Sequence, residues 1–248
     1  YSVEWRVINA ADYGRAQRRR RVFFFVFRND TKWGKRLHTR YEATLSVDAD
    51  IKARLDCYAP YIFNDGLFGR QFPVKGEAVK KRINANKLDE DIAEVSANFS
   101  DGKMWNSGLM TNGYYYTIET EPKGDEEPIP MKKIVVKENQ VPEDYYVDGE
   151  KLEKFKYLRG PKKITRTAAN GHTYTFSEGG MSEYDSLELP GRTMLTSEGS
   201  VNRSTHLLKI DGKYRLITPI EAERLQDFPD DWTRYKRNTK GEVVEVSD

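Results

Sequence analysis

Arg19 and Arg21 are the residues of this 248-residue chain whose type and spacing most invite chemistry. They belong to the run Gln17-Arg18-Arg19-Arg20-Arg21, which leads into the apolar run Val22-Phe-Phe-Phe-Val-Phe27. On an extended backbone alternate residues share a face, so Arg19 and Arg21 point one way and Arg18 and Arg20 the other. A guanidinium is a planar fork of donors that suits phosphates and base edges. With Asp12-Tyr13-Gly14 and Gln17 beside it, the run fits a loop that contacts a phosphate and a base. Without those flanks it reads as a solvated charge run or a nuclear-localisation-like tetrad.

Other reactive groups are few. Cys57 is the one cysteine, which leaves no disulfide framework. His38, His172 and His206 are too far apart for metal-ligand spacing. A reducing, cytoplasmic setting is expected. The 41 basic and 39 acidic side chains give a net charge of only +2, so affinity for nucleic acid must come from local basic patches. No segment reaches the roughly 18 apolar residues of a membrane span. The chain starts with Tyr1 rather than Met, which suggests a piece of a longer protein.

Several elements must position these residues. Tyr1 to Asn9 reads as a strand with Val3, Trp5 and Val7 on one side and Glu4 and Arg6 on the other. Ala10 to Arg20 is a polar connection. Val22 to Phe27 reads as a strand buried on both faces. Residues 31–200 read as largely β, because Asx-Gly pairs suited to tight hairpin turns recur at Asp65-Gly66, Asp101-Gly102, Asn112-Gly113, Asp148-Gly149 and Asn170-Gly171, with Asp211-Gly212 beyond. Leu88, Ile92 and Val95 predict a helix over 88–97. Residues 122–130 read as an exposed loop. Trp105 and Tyr114 to Tyr116 read as hairpin and core aromatics rather than base-stacking residues. Basic patches at Gly160–Arg166, Lys80-Lys81-Arg82 and Lys132-Lys133 are candidate nucleic-acid contacts or plain solvated surface.

Near the end, Arg215-Leu-Ile-Thr-Pro-Ile-Glu-Ala-Glu-Arg-Leu-Gln-Asp-Phe-Pro229 predicts a helix over 218–228. Thr218 is a good N-cap, Pro219 suits the first helical position, and Glu221 completes a capping box. Ala222, Leu225 and Phe228 form an apolar stripe. Glu221, Glu223 and Arg224 leave the other face charged, and Pro229 stops the helix. A hairpin over 206–217 leads into it, and Arg234 to Arg237 begins a surface exit.

Two of these stretches resemble one family. Asn9-Ala-Ala-Asp12-Tyr13-Gly14-x-x-Gln17-x-Arg19-x-Arg21-Val-Phe is similar to motif VIII of the DNA cytosine-5 methyltransferases, with Ala16 where that family usually has proline. Arg-x-x-Thr-x-x-Glu-x-x-Arg-Leu-Gln-x-Phe-Pro resembles its motif IX, and the two occur in the family's order. Pro190-Gly-Arg-Thr193-Met-Leu-Thr-Ser-Glu-Gly199 resembles the recognition element in which small residues approach DNA.

The resemblance implies an α+β, β-rich fold. Residues 1–30 would be the last strands of the catalytic α/β domain. Residues 31–234 would be a mostly β target-recognition domain with a few helices, and 235–248 an exposed tail. It implies duplex DNA as partner, with Gln17, Arg19, Arg21, Thr193 and Gly199 as DNA contacts. Arg19 and Arg21 would hold the DNA backbone and the flipped cytosine.

The family's reaction needs a cysteine thiolate that adds to the base before methyl transfer from S-adenosylmethionine. The Gly-rich cofactor loop, Pro-Cys nucleophile and Glu-Asn-Val motif that serve it lie before motif VIII in the family. Here Cys57 follows Asp56 and lies after motif VIII, and Glu138-Asn139-Gln140-Val141 is a near miss in the wrong order. The chain alone is therefore expected to bind no cofactor and to be inactive. The missing N-terminal catalytic part would be on the same gene or on a partner chain. A non-catalytic DNA-binding module and a β-rich interaction domain without nucleic acid remain the competing readings.

Overall fold

The computed structural model describes residues 1–46, 48–79, 82–88, 91–98 and 104–246. They form two compact units, Tyr1–Tyr13 with Arg20–Glu126, and Gly14–Arg19 with Glu127–Asp248. The fold is α+β, and every pair of neighbouring strands in its sheets is antiparallel.

The first unit runs β1 (Ser2–Asn9), β2 (Arg20–Phe27), α1 (Lys32–Tyr41), α2 (Ile51–Pro60), α3 (Leu67–Gln71), β3 (Ile83–Lys87), α4 (Ile92–Asn98), β4 (Ser107–Thr111) and β5 (Tyr114–Ile118). Its five-stranded sheet has the order β2-β1-β4-β5-β3. Leu109, Tyr116 and Ile118 from the sheet pack with Leu37, Tyr41, Leu55, Tyr58 and Ile62 from the helical stretch. Tyr115 and Tyr116 are buried, in line with a core role for this aromatic run.

The largely β reading of residues 31–200 fails over 31–71, which is helical. Caps explain where these helices begin. The Thr31 hydroxyl accepts from Gly34 N, and Asp50 Oδ1 accepts from Ala53 N. Pro60 ends α2, and one turn of π-helix follows at Tyr61–Asp65.

Both faces of β1 contribute buried residues: Ser2, Glu4 and Arg6 on one and Trp5 on the other, while Val7 is exposed. Most of their polar atoms find partners, which makes burial tolerable, although Arg6 Nε has none among the described residues. Glu4 accepts from Leu67 N, Phe68 N and the Tyr61 hydroxyl. Burial pushes the Glu4 carboxyl up, against the pull of these donors and of Arg6. Arg6 donates to the carbonyls of Ile62, Phe68 and Phe72, which ties the π-turn and α3 to the sheet.

β2 is not buried on both faces. It lies at the sheet edge, and only Phe25 and Phe27 pack, both against Trp33 of α1. Val22, Phe24 and Val26 face the side without helices and are exposed, Phe24 by 64%. A continuous apolar run cannot reveal this, because burial of the second face depends on what else packs there.

Further corrections concern boundaries and turns. α4 starts at Ile92, behind an Asp91 carboxylate that accepts from Ala93 N. Leu88 instead hydrogen-bonds to Gly113 O beside the sheet, and residues 89–90 lie outside the described residues. Asn112-Gly113 makes the β4–β5 turn with both residues in the left-handed region, at φ 48° and 73°. Asp65-Gly66 and Asp148-Gly149 make no hairpin; they precede α3 and α5 (Gly149–Arg159). Asp101-Gly102, and Lys80 and Lys81 of the basic patch, lie outside the described residues.

The second unit has β6 (Tyr146–Val147), α5, the hairpin β7 (Lys162–Thr167) and β8 (Thr173–Glu178), then β9 (Leu208–Ile210), β10 (Lys213–Arg215), α6 (Pro219–Leu225), β11 (Tyr235–Arg237) and β12 (Val243–Glu245). A three-stranded sheet has the order β6-β10-β9, and Asn170-Gly171 and Asp211-Gly212 turn their hairpins as expected. Residues 122–130 carry no helix or strand, although Pro122 bridges to Val74. The exit segment after Arg234 is an exposed hairpin, β11–β12. Among the described residues no helix is long and apolar enough to cross a membrane.

Candidate nucleic-acid interface

Residues 14–19 of the arginine-rich loop belong to the second unit, and Gln17 fastens them there. Its buried side chain donates from Nε2 to Leu225 O at 3.2 Å and accepts at Oε1 from Met194 N at 3.3 Å. The backbone adds a short parallel bridge to Gly191. Arg18 N donates to Gly191 O, and Gly191 N donates to Ala16 O, both at 2.7 Å. The Thr193 hydroxyl donates to Arg18 O at 3.0 Å, and Arg19 Nη1 donates to Met194 O at 3.3 Å. The loop, residues 191–194 and the end of α6 thus form one hydrogen-bonded assembly. Arg18 stays exposed on it and Arg19 half-buried.

Gly191 makes that closeness possible. A Cβ there would lie 2.7 Å from Leu225 Cδ2, 3.1 Å from Met131 Sδ and 3.4 Å from His206 Nε2. Gly199, which the family resemblance marks as a DNA contact, has open space at its Cβ position. In the sequence Gly191 is marked only by its Pro-Gly pair. His206 is fully buried and contacts Glu198 through Nδ1 at 2.9 Å.

α6 is held by charge as much as by its apolar residues. The capping box is present, and Leu225 is in the core with Ala16, Met131 and Ile134. The expected charged outer face is not outside. Glu221 is 0% exposed and meets Arg215 in a two-pronged ion pair, at 2.9 and 2.8 Å. It also accepts from Thr218 N and Val136 N. Arg215 Nε reaches Glu138, so the Glu-Asn-Gln-Val near miss has a structural partner. Burial opposes the Arg215 charge, but Glu221 and Glu138 more than offset it and raise its pKa. Glu223 is buried too and accepts from the Thr233 hydroxyl and amide. The helix ends at Leu225 rather than 228, because Asp227 turns to φ 61°; Phe228 is exposed and stacks on Trp232.

A second buried charge cluster braces the segment of residues 185–194. Asp185 binds Arg192 Nε at 2.5 Å and Arg159 Nη2 at 2.9 Å, and accepts from Leu207 N. Burial alone would raise this carboxyl, but the two guanidinium groups hold it well below the usual range.

In the first unit, Arg20 and Arg21 open β2 and are exposed. Arg21 Nη1 donates to Arg20 O. Arg19 belongs to the second unit and Arg21 to the first. A cleft of about 280 Å³ near Arg20 is lined by Arg6, Asn9, Asp12, Tyr13 and Asn106. Of the other basic patches, Lys132 pairs with Glu188 and Arg82 with Glu119. The Cys57 thiol, half-buried in α2, donates to Tyr41 O at 2.7 Å.

In open α/β sheets nucleotide-type cofactors sit at the carboxyl ends of parallel strands; among the described residues the strands paired within the sheets are antiparallel. Among the described residues no three His, Cys, Asp or Glu side chains gather as a metal site.

An arginine loop clasped to a capped helix, with a tight glycine beside them, brings Gln17 of the first signature stretch against Leu225 of the second. The profile of the C-5 cytosine-specific DNA methylases matches residues 1–245, and the chain belongs to that family. It is 51% identical over 233 residues, 94% of its length, to the Type II methyltransferase M.Sau3AI of Staphylococcus aureus. The chain spans about half of that relative, 52%. No solved structure matches it.

Proposed function

We propose that this chain is the C-terminal, target-recognition part of a DNA cytosine-5 methyltransferase. It binds duplex DNA at a short site and helps hold the flipped cytosine. The nucleophilic cysteine and the S-adenosylmethionine site are supplied by a catalytic part preceding it. The observation that carries this reading is the Gln17 clasp. It couples the loop bearing Arg18 and Arg19 to Thr193 and to the end of α6. A DNA contact made by Thr193 or its neighbours would thereby set the arginine loop.

The open apolar row of Val22, Phe24 and Val26 supports the second half of the reading. An exposed aromatic row on an edge strand suits a sheet that continues into more protein. That protein is the catalytic part, whether on the same chain or on a partner. By itself the chain transfers no methyl group.

The test is selection of bound duplexes from a randomised pool by this chain at two salt concentrations. Enrichment of a short motif containing cytosine is expected. Absence of any salt-sensitive binding would remove the reading.

A further inference from the structure

We infer that the β7–β8 hairpin is a DNA-binding arm, which lays one chosen face on the phosphate backbone of duplex DNA. This rests on the reading that the chain binds DNA.

The hairpin has a firm root and a free shaft. At the root, Lys162 Nζ donates to Leu158 O and pairs with Glu178 at 3.1 Å. Arg203 pairs with Glu178 at 2.9 Å and donates to the carbonyls of Leu158, Gly160 and Gly179. Beyond that root the strands pair only with each other, and nearly all of their side chains are exposed. An isolated two-stranded ribbon adds little to a core and is marginal alone. A ribbon so firmly anchored yet unpacked suits a surface that meets something else.

Its charge says what. From Lys163 to Ser177 there is no Asp or Glu, in a chain with 39 of them, while Lys163 and Arg166 are both basic. The register separates two faces. Ile164, Arg166, Tyr174 and Phe176 share one, where Arg166 lies over the Phe176 ring at 3.9 Å. The other carries Lys163, Thr165, Thr167, Thr173, Thr175 and Ser177. Among the described residues none of these five hydroxyls makes a side-chain hydrogen bond, and Lys163 has no acidic partner. Lysine and hydroxyl groups are the usual donors to DNA phosphates. The ribbon is about 20 Å long at ~3.3 Å per residue, and a two-stranded ribbon is narrow enough for the major groove. An acidic protein partner would not need the row of hydroxyls; phosphate oxygens accept from every member of it.

The test is duplex binding by the full chain across 50 to 200 mM salt, for wild type, Lys163→Gln, Thr165→Val/Thr175→Val and Arg166→Gln. All four sites are exposed, and unchanged thermal melts verify folding. Lys163→Gln is expected to make the slope of log affinity against log salt shallower by about 0.9, the value of one phosphate contact. The double threonine variant is expected to weaken binding several-fold on all sequences, with the slope kept. Arg166→Gln is expected to leave the slope as it is. Salt-sensitive wild-type binding with Lys163→Gln and the threonine variant unchanged overturns the arm while leaving the DNA reading intact. A shallower slope for Arg166→Gln alone overturns the choice of face. No binding by wild type overturns both readings.

Discussion

The side chain of Gln17 donates to the carbonyl of Leu225, 208 residues further along the chain, and takes the amide of Met194 in return. One glutamine thus joins the arginine loop to the end of α6 and to the segment holding Thr193. Both backbone groups it satisfies would be left without a partner by truncation, and each orphan costs about 1–3 kcal/mol. Gln17→Ala is therefore expected to lower stability by roughly 2–4 kcal/mol, read as a shift in urea midpoint. A variant as stable as wild type would show that the clasp contributes nothing.

Glu221 and Arg215 make the sharper case. Removing one member of a buried ion pair leaves the other charge uncompensated, at a cost of about 3–5 kcal/mol. Glu221→Ala also strips acceptors from Thr218 N and Val136 N. It should unfold the second unit at much lower urea. An apolar replacement of both, Arg215→Met with Glu221→Leu, should recover part of that loss. If the double variant is less stable than Glu221→Ala, the charge-desolvation argument is wrong.

Two glycines of one short stretch, Gly191 and Gly199, should behave differently. Gly191→Ala drives a methyl group into Leu225 and Met131, and overpacking of this kind costs about 1–3 kcal/mol. Gly199→Ala meets open space and should stay within about 0.5 kcal/mol of wild type. Parallel thermal melts of the two variants decide this.

Acid should act on the two units with opposite sign. Asp185 has a folded pKa below its unfolded value of about 3.9. Its stabilisation is complete above that value and is lost as pH falls through it toward the folded pKa. Asp185→Asn should be less stable than wild type at neutral pH, and the gap between the two urea curves should narrow as pH falls below about 3.9 toward the folded pKa. Glu4 has a raised folded pKa. Its protonation therefore favours the folded state as pH falls from neutral through that folded value. A carboxyl titration followed by NMR should place its midpoint above the usual ~4.3; a midpoint at or below that would contradict its burial.

The edge strand β2 predicts a change in solubility without a change in fold. Phe24 is 64% exposed on the face without helices. Phe24→Thr keeps β propensity and removes an apolar edge contact. Light scattering of the isolated chain should fall at high concentration while its melting temperature stays within a few degrees. A large drop in melting temperature would mean that Phe24 is packed.

Some local elements were legible in the sequence, though the helices over 31–71 and α5 were not. The Thr218 capping box, the left-handed Asn112-Gly113 turn and the two family stretches follow from short-range rules that tertiary contacts did not override. The α+β class and the family were legible for the same reason. What the sequence could not settle was which face is inside. Glu4, Arg6, Glu221 and Glu223 look like surface residues because a lone charge avoids burial, yet each is buried here. Partners outside their own elements, Leu67 and Phe68 for Glu4, Arg215 for Glu221 and Thr233 for Glu223, make that burial tolerable. The aromatic run of β2 erred the other way, since its second face has no neighbour. Only the tertiary structure brings Gln17, Gly191, Met194 and Leu225 together. Their closeness depends on hydrogen bonds that span most of the chain, and no local pattern encodes them.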